Sequence, residues 1–160
     1  MMARMDVSTR AEFPASPAEV FAMMTDQGYL EEVCRASDAA DYHVSVDGST
    51  TRTRRTLPAP ADAARFTGPH LTIDDEVVWG PEEVDGSRTG RVSMTVSGQP
   101  VSMRGEMRLA PGGAGTTAEL TGELKVAVPI LGKKLEQSAA PAVLANFRTQ
   151  ETVGRTWLAH

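Results

Sequence analysis

Two charged residues, Arg55 and Asp75, lie in predicted β-strands at positions whose side chains should point into the protein. Residues two apart in a strand share a face. The face of Asp75 is otherwise apolar and carries Leu71, Ile73, Val77 and Trp79. An unpaired buried charge is costly, so both residues need a partner or water, and each could satisfy the other. Since a few polar groups on an apolar wall are typical of a ligand site, we predict both as polar anchors. A β-bulge at 74–76 would instead turn Asp75 outward.

The turn before the strand of Arg55 decides which face that residue occupies. Asp47-Gly48 is typical of a two-residue hairpin turn, and such a turn pairs Val46 with Ser49 on the inner face. The same inner face then carries Thr51, Thr53, Arg55 and Leu57. A longer turn at 47–49 would instead point the neighbouring arginines inward, Arg52 and Arg54.

Other chemically active residue types are few and scattered. The three histidines, His43, His70 and His160, lack the spacing of metal ligands. The chain has no His-Glu-x-x-His or Cys-x-x-Cys motif and no phosphate-binding glycine loop. Cys34 lies in a predicted helix with no histidine nearby, so we interpret it as a small buried hydrophobic residue. The sequence therefore predicts no metal site, no cofactor and no catalytic constellation.

Methionine is frequent, with eight residues, whereas aromatic residues make up only 5% of the chain. Met94, Met103 and Met107 fall on the inner face of adjacent predicted strands. They could fill a solid core, or they could line a deformable apolar pocket, because methionine packs adaptably. In the second interpretation, the pocket is completed by Trp79, Leu120, Leu135, Val143 and Phe147.

The composition is that of one globular domain, which we assign to residues 1–160. With 41% hydrophobic and 23% charged residues, the chain resembles neither disordered nor coiled-coil proteins. No run of 18 apolar residues predicts a transmembrane segment, and Met1–Arg10 does not resemble a secretory signal. The net charge of -5 opposes nucleic-acid binding, and the single cysteine fits a cytoplasmic protein. We expect a monomer or a homodimer.

The elements that must position these residues follow from hydrophobic periodicity. Met5–Phe13 alternates as a strand, and Ser16-Pro17 then begins a helix. We predict short helices at about 17–24 and 26–36, followed by strands at about 42–46, 49–57, 71–79, 92–96, 101–109 and 118–128. A long amphipathic helix is predicted over about 131–158. Pro141 either kinks this helix or divides it in two.

Short turns between consecutive strands predict antiparallel neighbours. A sheet of about seven strands must bury one face, and only the C-terminal helix is long enough to cover it. The sequence therefore predicts an α+β fold, a curved antiparallel sheet wrapped on a long C-terminal helix.

Two segments resemble those of the START-related helix-grip superfamily, which includes birch-pollen-allergen-like proteins and polyketide cyclases. They are Phe13–Phe21 (FPASPAEVF) and Pro129–Glu136 (PILGKKLE), which leads into the last helix. Within the superfamily, the chain resembles an uncharacterised, mainly actinobacterial family of unknown function. The resemblance implies a cavity between sheet and helix that takes apolar or amphipathic small molecules.

Three functions are compatible with this prediction, because a fold does not fix a function. The first is non-catalytic binding of a hydrophobic or amphipathic small molecule, such as a lipid or a polyketide-like metabolite. The second is a protein-interaction module, and the third is an enzyme of the polyketide cyclase or aromatase type. We rank them in this order, because the sequence contains no evident catalytic group beyond Arg55 and Asp75.

Overall fold

The computed structural model describes residues 3–59, 61, 64, 68–127 and 132–159, with the backbone alone at 132–139. The chain forms strand β1 (Ala3–Phe13), helices α1 (Pro17–Met24) and α2 (Gln27–Ala36), and then strands β2 (Asp41–Asp47), β3 (Thr50–Pro58), β4 (His70–Trp79), β5 (Arg88–Val96), β6 (Val101–Gly112) and β7 (Gly115–Val126). Helix α3 (Gly132–Leu158) ends the fold. The predicted α+β arrangement is confirmed. The predicted strand end at 128, the helix start at 131 and His160 lie outside the described residues.

The seven strands form one antiparallel sheet in the order β1-β7-β6-β5-β4-β3-β2. Strands β2 to β7 are joined in sequence as a meander, and β1 pairs with β7. Gly105 of β6 lies opposite Gly122 of β7, and a Cβ on Gly105 would overlap the carbonyl oxygen of Thr121. Only glycine therefore permits this close approach of the two backbones.

The hairpin turn between β2 and β3 is Gly48-Ser49, one residue later than predicted. Gly48 has a φ of 60°, which glycine adopts without strain. Val46 consequently pairs with Thr51 instead of Ser49. A shift of two residues in the partner preserves the face, because side chains alternate with a period of two.

Arg55 is therefore on the inner face, as predicted, although the predicted turn was wrong. Arg55 is 5% exposed, whereas Arg52 and Arg54 are exposed on the outer face. The longer turn that would reverse this arrangement is excluded. Asp75 also faces inward, because β4 pairs with β3 in unbroken register from residue 70 to 78, and no bulge occurs at 74–76.

Side-chain caps fix the two short helices between β1 and β2. The Ser16 hydroxyl accepts a hydrogen bond from the Glu19 amide at 3.2 Å, and Pro17 occupies the first turn of α1. The Asp26 carboxylate accepts from the Tyr29 amide at 3.2 Å at the start of α2. The two helices therefore begin at defined residues and bury one face against the core.

Helix α3 is one continuous helix of 27 residues with Pro141 inside it, so the two-helix alternative is wrong. It packs against β1, β7 and α2. Glu151 accepts a hydrogen bond from the Glu12 amide at 2.9 Å, and the Tyr29 hydroxyl donates to the Gln150 carbonyl at 2.8 Å. Burial raises the pKa of Tyr29, which keeps that hydroxyl a donor. These contacts hold α3 over one side of the sheet.

Candidate functional site

A cavity of about 90 Å³ lies between the inner face of the sheet and helices α2 and α3. Strands β3 to β7 form its floor, and Asn146, Phe147 and Gln150 of α3 lie on the opposite wall. Within the sheet, Met94 lies opposite Met103, and Met107 lies opposite Leu120. The floor is therefore largely apolar and rich in methionine.

The structure brings together nine of the ten residues predicted from the sequence to bind a ligand. The side chains that line the cavity are Arg55, Asp75, Trp79, Met94, Met103, Met107, Leu120, Val143 and Phe147. Leu135, the tenth, lies among the residues whose side chains the structure does not describe. Whether any of these residues contacts a ligand stays a prediction.

Several lining residues were not predicted from the sequence. Asn146 and Gln150 of α3 belong to this group, together with residues of the short helices, Met24, Tyr29, Leu30, Val33 and Cys34. A signal for the first two exists, because Val143, Asn146, Phe147 and Gln150 recur at the spacing of one helical face. Polar residues on that face indicate that it borders something other than a closed apolar core.

Arg55 is the best-anchored polar group of the cavity. Its Nη2 lies 2.9 Å from a carboxylate oxygen of Asp75, and its Nη1 donates to Oδ1 of Asn146 at 2.5 Å. Its Nε is buried and has no hydrogen-bond partner. Arg55 thus joins β3 to β4 and to α3, and its Nε–H is left without an acceptor.

The neighbouring ion pairs of the same two strands lie on the outer face. Arg52 contacts Glu76 and Arg54 contacts Asp74, each at 2.8 Å. All four of these side chains are more than one-third exposed, so solvent screens their attraction. The Arg55–Asp75 pair on the inner face is screened much less, since only 5% and 23% of the two side chains are exposed.

The environment of Asp75 disfavours the ionised carboxylate. Burial raises the pKa of Asp75 above its ordinary value, and it outweighs the opposing attraction of Arg55. The nearby charge of Asp74 raises the pKa further. Burial likewise raises the pKa of Cys34, which favours the thiol over the reactive thiolate.

Trp79, the last residue of β4, also lines the cavity. Its ring meets Phe21 of α1 edge to face with centroids 5.7 Å apart. Gly90 lies directly opposite Trp79, and a Cβ there would approach the indole ring to 2.9 Å. The absence of a side chain at Gly90 therefore makes room for the indole. The Nε1 of Trp79 is buried and has no hydrogen-bond partner.

The chemistry available in the cavity is hydrogen bonding at the edge of an apolar wall. Across the part of the chain that the structure describes, no three His, Cys, Asp or Glu side chains are grouped to hold a metal ion. In the same residues, no helix combines the length and the hydropathy needed to cross a membrane.

Comparisons with known proteins agree with this architecture. The family model described as "Protein of unknown function (DUF2505)" matches residues 8–158. No curated protein matches the chain. Among solved structures, protein TTHA0849 from Thermus thermophilus is similar, with 20% identity and a TM-score of 0.66 over 94% of this chain and 97% of its own.

Two enzymes of known activity share the fold at low identity. Norcoclaurine synthase from Thalictrum flavum, solved with dopamine and hydroxybenzaldehyde, is 14% identical with a TM-score of 0.64, over 99% of this chain and 89% of its own. The Zhui aromatase/cyclase from Streptomyces sp. R1128 is 15% identical with a TM-score of 0.62, over 98% of this chain and 93% of its own. These likenesses identify the fold alone. The chain has the START-related helix-grip fold and belongs to the DUF2505 family.

Proposed function

We propose that the protein binds a small hydrophobic or amphipathic molecule, without catalysis, in the cavity between the sheet and α3. The observation that carries the proposal is Arg55, a buried cation held by Asp75 and Asn146 on an otherwise largely apolar wall. A closed core gains nothing from such a cluster, because desolvation of the charges offsets their attraction. In a ligand-binding cavity, by contrast, a buried polar cluster can orient the polar end of the ligand.

The dimensions of the cavity favour a compact occupant. Ligand pockets for drug-sized molecules usually measure about 300–1,000 Å³, several times the 90 Å³ found between sheet and helix. A larger molecule therefore requires lining side chains to move, and the methionines of the floor are the most adaptable of them. The relative solved with dopamine and hydroxybenzaldehyde takes single-ring molecules in the same fold, which supports an occupant of that size.

The interaction-module alternative is less well supported. Such a module needs a large exposed apolar patch. Among the described residues, large hydrophobic side chains are exposed at Val84 and Trp157, which lie on a loop and on α3. Two exposed side chains in different elements do not amount to such a patch.

The enzymatic alternative has one observation in its favour. Asp75 has a raised pKa and lies beside Arg55, an arrangement that can supply a proton donor and a polarising cation. Turnover of candidate polyketones by the wild type and by Asp75→Asn tests this function. Equal rates of the two proteins would remove Asp75 from the mechanism.

Binding is tested with protein labelled with ¹³C at the methionine methyl groups and titrated with ethylbenzene. We expect the signals of Met94, Met103 and Met107 to shift, whereas Met5 and Met23, which do not line the cavity, should stay in place. Val143→Phe narrows the cavity and should weaken binding about tenfold or more. Val153→Phe is the matched control, because it adds the same ring on the same helix away from the cavity. Equal binding by both variants, or shifts confined to the control methyls, would contradict the proposal.

A further inference from the structure

The unpartnered Nε–H of Arg55 indicates which chemical group the occupant must carry. A guanidinium has five N–H donors, and in Arg55 the two terminal nitrogens already bind Asn146 and Asp75. The remaining nitrogen, Nε, is buried without a partner. Buried donors are nearly always satisfied in native proteins, so an unsatisfied one in a side chain that lines a cavity calls for an acceptor.

The charges of the cavity wall determine what kind of acceptor fits. Among the lining residues that the structure describes, Arg55 is the only cation and Asp75 is the only anion. When Asp75 is ionised, it already balances the charge of Arg55 at 2.9 Å. A carboxylate ligand would place a second negative charge beside Asp75, and two carboxylates sharing one cation repel each other. A carbonyl or other uncharged oxygen accepts a hydrogen bond without that cost.

We infer that the molecule bound in the cavity is an uncharged hydrogen-bond acceptor whose oxygen accepts from Nε of Arg55 while its apolar body lies against Met94 and Met103. The inference rests on the proposed function. To seat the oxygen against Nε, a neighbouring lining side chain must move, and the methionines are the flexible ones.

Trp79 offers a second unpartnered donor, and it must be distinguished from Arg55. Arg55 of β3 lies opposite Ile73 of β4, and Trp79 lies six residues after Ile73 in β4. At about 3.3 Å per residue, the two positions lie about 20 Å apart along the sheet. A compact acceptor therefore reaches one of the two, and the anchored guanidinium of Arg55 is the stronger donor.

Three single-ring probes of similar size test the inference: acetophenone, ethylbenzene and benzoate. We expect acetophenone to bind about tenfold or more tightly than ethylbenzene, because its carbonyl adds a hydrogen bond to a charged donor. Benzoate should bind more weakly than acetophenone. If ethylbenzene binds as tightly as acetophenone, the inference fails and the proposed function stands. If benzoate binds most tightly, the acceptor is an anion and the inference is overturned. If none of the three binds, both the inference and the proposed function fall.

Two variants assign the donor. Arg55→Lys keeps a positive charge beside Asp75 but has no Nε–H, so the preference for acetophenone over ethylbenzene should disappear. Trp79→Phe removes the indole N–H while keeping a ring, and the preference should persist. The opposite pattern, with the preference lost only in Trp79→Phe, would overturn the assignment to Arg55.

Discussion

Arg55 in the sheet and Asn146 in the C-terminal helix meet across the cavity through a hydrogen bond of 2.5 Å. This contact ties α3 to β3, although the helix packs mainly on β1, β7 and α2. The same guanidinium holds Asp75 of β4. One residue therefore sets both the separation of helix and sheet and the polarity of the space between them.

The stability of the fold should depend on Arg55 far more than on its sequence neighbour. Arg55→Met leaves the Asp75 carboxylate without its cation, and breaking a buried ion pair in this way typically costs about 3–5 kcal/mol. Arg54→Met removes an ion pair on the outer face and should cost much less, because solvent screens that pair. Urea unfolding of the two variants at neutral pH measures the difference. Equal losses of stability would contradict the structural role assigned to Arg55.

The carboxyl groups of Asp75 and Asp85 should titrate on opposite sides of their ordinary pKa of 3.8. Burial raises the pKa of Asp75, whereas the hydrogen bond from the Ser87 amide lowers the pKa of Asp85. A ¹³C NMR titration of the side-chain carboxyls resolves the two midpoints. A midpoint for Asp75 at or below that of Asp85 would show that Asp75 is not in the environment described.

The raised pKa of Asp75 also predicts a sign for the pH dependence of stability. The folded state holds the proton of Asp75 more tightly than the unfolded state does. The contribution of Asp75 to the free energy of unfolding is therefore fully present below pH 3.8. It is lost as the pH rises through the folded-state pKa. The free energy of unfolding of the wild type, minus that of Asp75→Asn, should therefore fall with rising pH in this window. A difference that rises with pH would reverse the assignment.

The contact between Gly90 and Trp79 predicts that a single methyl group disturbs the cavity. A Cβ at position 90 would lie 2.8 Å from a methyl carbon of Val77 and 2.9 Å from the indole ring. Gly90→Ala should therefore cost about 1–3 kcal/mol through overpacking. It should also shift the indole N–H signal of Trp79 while leaving that of Trp157 unchanged. If neither the stability nor the Trp79 signal changed, the indole ring would not be in tight contact with position 90, and the prediction would be wrong.

The faces of the strands could be predicted from the sequence more reliably than their ends. Alternation placed Arg55 and Asp75 inward even though the turn at Gly48-Ser49 was assigned one residue too early, because a register shift of two keeps every face. Strand β5 begins at Arg88, four residues before the prediction. Its first residues include Gly90, which has no side chain to contribute to a pattern.

The partners of the polar residues depend on tertiary distances that the sequence does not contain. Asn146 lies 91 positions from Arg55 in the chain, and a lone asparagine on a helix is usually solvent-exposed. The unsatisfied nitrogens of Arg55 and Trp79 are also properties of packing alone. The sequence therefore predicted which residues face the cavity but not how Arg55 is held.

The most direct test of an occupiable cavity beside Arg55 is a crystal structure of the protein under xenon pressure. Xenon enters apolar cavities too small for most ligands. We expect a xenon atom between the methionines of β5 and β6 and Phe147 of α3, in contact with Met94 or Met103. A crystal that takes up xenon elsewhere but has no xenon in this space would mean that the interior is solid, and the binding function would be wrong.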